Sequence, residues 1–385
     1  MKKGILFKIS GNSSWIGGVY YIKNIIFSLL QNSVITDKYN IIICVNETSV
    51  ELTNVFRDKA VIINCKEKEC SLLAYLRWFS MIKKYRIKYV YGVTPGLKAR
   101  ILHALNVIPI YWIPDFQDKH FPNFFSEDQL KIRDHRNAMI LQDSSCPLVL
   151  SSQDAKHDFE TYVSPKREHV YVIPFVSYIE EHIKAMTPKS EKQILNRYHL
   201  TGRKYILISN QFWKHKNHLT VLKAIAFLKH KQQLNDITFV FTGQILKGAQ
   251  REKYGSEYYE KLEQIIDEKR LMENIMILGF IERAEQLVLM KHAHFILQPS
   301  LFEGWGTVLE DAKVLDKTVL LSDINVHREQ KSDKCLLFNP NDEIDLANKI
   351  VDLSKEKLSS DVKAGLCDMY CRAKEYSKTF EEIML

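Results

Sequence analysis

Short apolar runs alternate with stretches of helical periodicity along almost the whole chain, and this alternation restricts the fold more than any other feature. The runs are Gly4–Ile9, Asn40–Val45, Tyr89–Val93, Ile108–Ile113 and Leu148–Ser151, then, after a break, Tyr205–Ser209, Thr238–Thr242, Ile275–Leu278, Phe295–Gln298 and Thr318–Leu321. Each is nearly continuous in apolar residues, as strands covered on both faces are. Between them the 3.6-residue period recurs, as in HLTVLKAIAFLKH at 218–230. The pattern predicts an α/β fold of parallel sheets with helices on both sides, and the runs suffice for two such sheets.

A chain of 385 residues exceeds one ordinary core. The stretch least suited to either core is Pro174–Ser190. We therefore expect a Rossmann-like domain over 1–178, a linker over 179–195, a second Rossmann-like domain over 196–365, and a C-terminal helix over 366–385 returning toward the first. Two such domains predict a deep cleft between the carboxyl ends of their sheets, where ligands of open α/β sheets bind.

Charge narrows the partners. The 54 Lys and Arg against 46 Asp and Glu give +8, which suits nucleotides, sugar diphosphates or an acidic lipid surface. The basic residues are dispersed rather than massed, which argues against nucleic acid. Seven cysteines without a Cys-x-x-Cys pair read as free thiols in a reducing compartment, and Cys367 and Cys371, four apart on a helix, as packing residues. The N-terminal MKKGILFKIS reads as a first strand rather than a signal peptide, because Lys8 interrupts its apolar run. No run approaches the ~18 apolar residues of a membrane span. The expected location is cytoplasmic, at most peripheral on a membrane.

The stretch Ser300–Lys313, SLFEGWGTVLEDAK, is a turn, a glycine-containing loop and a helix start. Gly304 and Gly306 permit close backbone approach to a ligand. A helix beginning near Thr307 would present free N–H groups and a positive dipole end to an anion. Glu303 would then accept from hydroxyls. Glu310 has a second reading: Thr307-x-x-Glu310 fits a capping box, a helix-start device worth about 1 kcal/mol.

The stretch resembles the two-glutamate signature of retaining GT-B glycosyltransferases of the GT4 type, and further matches run along most of the chain. ISNQFWKHKNHLTVLKAI (208–225), VFTGQ (240–244), ILGFI (277–281) and LVLMKHAHFILQPSLFEG (287–304) are similar to the donor-domain succession of that family. LVLSSQDAKHDF (148–159) and VIPF (172–175) resemble its domain-crossing segment. WIPDFQDKHFPNFFS (112–126) resembles the acceptor side of a subgroup acting on bacterial surface polysaccharides, O-antigen and capsule among them.

The resemblance implies a role for each matching position. Lys216, with Asn210 and Gln211 on the same loop, would hold the donor diphosphate. Glu303 would bond the transferred sugar, and the backbone of Gly304, Trp305, Gly306 and Thr307 would hold sugar and phosphate. Glu310 would accept from the ribose. Gly17 and Gly18, after the first strand, would let a loop approach the diphosphate. The chain departs from the family at three places. Six residues separate the glutamates where the common pattern has seven, Gln211 stands for an arginine, and Pro114-Asp115 stands for His-Asp. Asp115, Asp118 and His120 are the substitutes for the missing histidine.

The implied chemistry is retaining transfer of a sugar from a nucleotide diphosphate to a saccharide or lipid-linked saccharide acceptor. The leaving phosphate would help deprotonate that acceptor. No pair of aspartates separated by one residue is present to hold a divalent cation, so metal-independent transfer without a cofactor is expected. The segment 71–90 mixes Arg77, Lys83, Lys84, Arg86 and Lys88 with Trp78 and Phe79, which suits an anionic membrane or an ordinary solvated helix face. A nucleotide-sugar epimerase or phosphorylase would use the same architecture, and a non-catalytic nucleotide- or saccharide-binding protein is the reading from another class. A dinucleotide oxidoreductase is disfavoured, because no Gly-x-Gly-x-x-Gly follows the first strand.

Overall fold

The structure, a computed structural model, describes residues 2–9, 16–46, 51–65, 72–234, 236–245 and 256–384. The chain divides into two compact units, Met1–Tyr178 with Met369–Leu385, and Ile179–Asp368. The first holds a parallel sheet of β1 (Lys3–Ile9), β2 (Tyr39–Val45), β3 (Val61–Asn64), β4 (Ile87–Tyr91), β5 (Ile108–Ile113), β6 (Leu148–Leu150) and β7 (Val170–Val172), in the order β3-β2-β1-β4-β5-β6-β7. The second holds β8 (Lys204–Ser209), β9 (Ile237–Thr242), β10 (Ile275–Gly279), β11 (Phe295–Gln298), β12 (Val319–Ser322) and β13 (Cys335–Phe338), in the order β10-β9-β8-β11-β12-β13. Both are Rossmann-like α/β sheets, as the alternation predicts.

Three strands have no counterpart among the expected runs: β3, β7 and β13. All lie at sheet edges; their residues, VIIN, VYV and CLLF, are nearly all apolar, but runs of only three or four partly exposed residues carry little periodicity. The central strands show the opposite. Ile206, Ile208, Phe239, Phe241, Phe295 and Leu297 are buried against Val221, Leu222 and Ile225 of the helix His218–His230. Complete burial of each such side chain contributes about 1.5–3 kcal/mol.

Residues 179–195, expected as a linker, are folded. They form the helix Glu180–Ala185 and most of the helix Pro188–Arg197, which opens with a Thr187/Ser190 capping box. Glu191 fixes the second helix to Lys291 (2.6 Å) and His292 (2.7 Å). The C-terminal helix Val362–Met384 supplies its last part to the first unit. There Asn32 donates to Ser377 Oγ (3.1 Å) and Glu381 (2.7 Å), and the Tyr39 and Tyr89 hydroxyls donate to the Met384 carbonyl.

The cysteines depart from expectation. Cys44 and Cys65 form a disulfide rather than two free thiols. Their 21-residue separation hides the pairing in the sequence, but β2 and β3 run side by side in register and bring the two together. Cys367 and Cys371 are exposed on the C-terminal helix rather than buried as packing residues would be.

Candidate functional site

In the second unit the polar side chains concentrate at the carboxyl ends of β8, β11 and β12. Strand β11 ends in Gln298, followed by Pro299 and Ser300, and Glu303 lies three residues further. One oxygen of Glu303, Oε1, accepts from Lys216 Nζ (2.5 Å), Ser300 Oγ (2.7 Å) and Gln298 Nε2 (3.2 Å). Burial alone would raise this carboxyl. The Lys216 ammonium outweighs it, with smaller help from His327 and Ser300, and holds it at about 2. Glu303 is therefore ionised at any working pH, an acceptor rather than a proton donor.

Lys216 reaches this point because the backbone turns sharply behind it. Asn217 adopts a left-handed conformation (φ 56°) between the short turn Lys214–Lys216 and the helix His218–His230. Asparagine tolerates that region better than most residues. Its side-chain nitrogen donates to the carbonyls of Pro340 (2.8 Å) and Pro299 (3.2 Å), and its oxygen accepts from Thr220. The aromatic anchor is Phe212, stacked at 4.2 Å on the fully buried His218. Burial and nearby Lys216 push both His215 and His218 down to about 3, so both are neutral.

Two donor-loop residues are engaged within the protein. Asn210 and Gln298 exchange two amide hydrogen bonds (3.1 and 3.0 Å), and Gln211 accepts from the Trp213 indole. Asn210 also lies tight under Gly243, whose φ is +130° and where a Cβ would meet the Asn210 carbonyl oxygen at 2.1 Å. Only glycine fits there.

The helix Thr307–Val314 starts where expected, but its cap differs. Gly306 occupies the N-cap and has no side chain, so the Thr307/Glu310 capping box does not form. Glu310 is completely buried and its Oε1 accepts instead from Lys313 (2.9 Å) and Gln330 (2.9 Å). In this arrangement it presents no exposed surface to a ribose. Gln330 also accepts from Gly306 N (3.0 Å) and donates to Gly306 O (2.8 Å), so the Gly306 amide, expected at the ligand, is taken. The N–H groups of the first helical turn remain without intrahelical acceptors. Trp305 is buried near Lys313, whose ammonium lies 6.0 Å from the ring centre.

Behind Glu303 runs a second layer. Ser322 Oγ donates to the Ser300 carbonyl and contacts His327 Nδ1 (3.0 Å), and burial lowers the pKa of this fully enclosed histidine. Arg283 grips Asp311 with both nitrogens. Sequence reasoning passed over Gln298, Ser300, Ser322, His327 and Gln330. Gln298 did leave a signal, a polar residue closing an otherwise apolar strand, whereas Gln330 lies 24 residues from its partner Gly306 with no motif between them.

The first unit distributes its candidates. Asp115 accepts from the Gln117 amide (3.1 Å), and burial raises its pKa against the pull of Arg133. Asp118 is buried and accepts from Arg133 (3.0 Å). His120 is bound to both oxygens of buried Asp158 (2.9 and 2.8 Å), which raises its pKa. Gly17 and Gly18 lie in the first turn of the helix Ile16–Leu30 rather than in a loop, while residues 10–15 before them fall outside the described residues. At the carboxyl ends of β5 and β6, Trp112 stacks on Tyr21 (4.3 Å) and donates to Ser151 (3.2 Å).

Two Rossmann-like parallel sheets, with a polar network at the carboxyl ends of the second, fit the two-domain GT-B architecture. Residues 190–370 match the family model of glycosyl transferases group 1. A curated relative, the O-antigen chain mannosyltransferase RfbU of Salmonella typhimurium, is 27% identical over 139 residues, 36% of this chain and 35% of that protein. The chain thus matches about a third of that relative's length. Among solved structures, a glycosyltransferase from Rickettsia africae is similar at a TM-score of 0.64 and 16% identity, over 98% of this chain and 93% of that one. Anabaena Alr3699/HepE, solved with UDP and glucose, gives 0.64 and 15%, over 98% and 95%. WaaG, a glycosyltransferase of lipopolysaccharide biosynthesis, gives 0.57 and 13%, over 98% and 95%. At these identities the structural likeness is one of fold.

Proposed function

We propose that the chain transfers a sugar from a nucleotide diphosphate to a saccharide acceptor, with retention of configuration and without a metal ion, in assembly of a bacterial surface polysaccharide. The observation that carries this reading is the Lys216–Glu303 pair at the carboxyl end of the donor-type sheet. Three donors converge on Glu303 Oε1, which leaves Oε2 as the acceptor for a hydroxyl of the transferred sugar. Lys216 would share its charge with the diphosphate, where negative charge develops as the glycosidic bond to the leaving group breaks. The amides opening the helix Thr307–Val314 would add to it.

Glu303, held at about 2, serves as a fixed acceptor and not as the acid of the reaction. The departing phosphate would take the acceptor's proton on the same face, which asks for no protein nucleophile. The curated relative acts on O-antigen chains by its name, and the Anabaena protein was solved with UDP and glucose; both support a nucleotide-sugar donor and a polysaccharide product. No described helix is long and apolar enough to cross a membrane. A lipid-linked acceptor would thus be met at the inner membrane face, with Arg77, Lys83 and Lys84 as the basic contacts.

The test is a thermal-shift screen of the full chain against UDP-, GDP- and other nucleotide sugars, followed by transfer assays with the donor that binds. One donor should raise the unfolding temperature, and Glu303→Gln should lower kcat about 10²–10³-fold. Stabilisation by none of the donors, or full activity in Glu303→Gln, would overturn the reading. Donor turnover that needs no acceptor would favour an epimerase.

A further inference from the structure

At the opposite, amino-terminal end of the first unit's sheet, three side chains of metal-ligating type meet. His103 lies in the helix Leu97–Ala104, ahead of β5. Asp143 caps the helix Glu127–Gln142, and Cys146 lies in the loop between that cap and β6. His103 Nε2 is 3.0 Å from Asp143 Oδ2 and 3.5 Å from Cys146 Sγ, and all three ligand atoms fall within 4.8 Å of one another. No other such group occurs among the described residues. We propose that His103, Asp143 and Cys146 form a site for one zinc-class divalent cation, separate from the donor site.

The dimensions suit the ion. Zinc binds imidazole nitrogen and carboxylate oxygen at about 2.0–2.2 Å and thiolate at about 2.3 Å, in a tetrahedron whose edges then run about 3.3–3.6 Å. The His103–Cys146 separation matches such an edge, and the His103–Asp143 contact opens by a few tenths of an ångström to reach it. The donor set is also selective: one thiolate, one imidazole and one carboxylate favour zinc or cobalt over the hard cations magnesium and calcium.

The surroundings hold the ligands in place before any ion arrives. Arg167 donates to the carbonyls of Ile140, Asp143 and Cys146, bracing the loop that carries two of the three. Tyr111 donates to Asp143 Oδ2 at 2.5 Å, the kind of outer contact that orients a coordinating carboxylate. Access comes from one side. The His103 and Asp143 side chains are 41% and 24% exposed, whereas Cys146 is buried beneath them. Three protein ligands leave a fourth position for water.

Cys146 is a buried free thiol in the ion-free site. Binding replaces the thiol proton: the cation gains a sulfur ligand, one H⁺ goes to solvent, and the neutral His103 ring carries its own proton on Nδ1. Affinity should therefore increase with pH. The site is built from first-unit residues alone, so the proposal does not depend on the reading of the donor site. Its effect would be to clip the helix Leu97–Ala104 to the loop before β6.

The experiment is a cobalt titration of the chelator-stripped full chain, followed by absorption, with unfolding temperature as an independent readout. One equivalent should bind with a thiolate-to-cobalt charge-transfer band and raise the unfolding temperature. Cys146→Ser should lose the band. His103→Gln, a substitution at an exposed helix position, should weaken binding at least about tenfold while leaving the far-UV circular dichroism unchanged. Absence of the band in the wild type would overturn the proposal. So would a band of equal strength in Cys146→Ser or equal affinity in His103→Gln, which would assign binding to another cysteine of the chain.

Discussion

At the carboxyl ends of the second unit's strands one carboxylate, Glu303, gathers Lys216, Gln298 and Ser300. In the first unit Asp115, Asp118 and His120 each bind a different partner. The same sheet architecture thus carries a coupled set of charges in one unit and separate pairs in the other. Coupling raises the cost of losing any one member, because the partner left behind is a buried charge. A pair with a partly exposed member, such as His120 with Asp158, loses a smaller contribution of its own.

The largest effect follows from breaking the coupled set. Lys216→Met leaves Glu303 buried without its cation and should destabilise the second unit by about 3–5 kcal/mol in chemical denaturation. Adding Glu303→Gln to that variant should restore more than half of the loss. A double variant as unstable as the single one would show that the two residues act independently.

Acid should separate the units next. His215 and His218 titrate at about 3 in the folded chain and near 6.5 when unfolded, so only the unfolded chain takes up protons between those values. Stability is then complete above pH 6.5 and falls as pH drops toward 3, by ~1.4 kcal/mol per pH unit for each histidine. Glu303 adds a loss of the same sign as pH falls from about 4.5 to about 2. Replacing His218 by Phe, which keeps the stack on Phe212, should reduce the slope of unfolding free energy between pH 6 and 4 by about half. An unchanged slope would remove buried His218 from the account.

Gln330→Ala comes third. It strips the Gly306 amide and carbonyl and the Glu310 carboxylate of one buried partner each, at about 1–3 kcal/mol. Donor KM should increase with it, since the loop before the helix loses its brace. A variant with normal stability and normal KM would free that loop from Gln330. The smallest effect belongs to His120, whose raised pKa gives the opposite sign: its bond to Asp158 stabilises fully below pH 6.5 and is lost as pH rises through the folded value. With the side chain 35% exposed, His120→Asn should cost well under about 1 kcal/mol at pH 6 and almost nothing at pH 9. A large loss of transfer activity in that variant would instead move catalytic weight into the first unit.

What was legible in the sequence was local. The apolar strands of both sheet centres, the loop carrying Lys216 and the stretch Ser300–Lys313 are each written within about twenty consecutive residues, so periodicity and turn chemistry reveal them. The edge strands β3, β7 and β13 were missed although nearly all their residues are apolar, because runs of three or four residues carry little periodicity. Contacts made across the sheet were missed for a different reason. Gln330 on Gly306, His327 behind Ser322 and Cys44 on Cys65 follow from strand order and register, which no spacing rule encodes. Glu310 failed by a single position: the helix began one residue earlier than the capping box requires, and its carboxylate turned inward.

The helix Val362–Met384 sets an order of events during synthesis. The first unit's seven strands leave the ribosome before the second unit exists. Yet the amide of Asn32 and the hydroxyls of Tyr39 and Tyr89 receive their partners only when Ser377, Glu381 and Met384 have been translated. The second unit, complete by Asp368, is free to fold first. A premature stop near the end of the message would therefore cripple the half made earliest and spare the half made last.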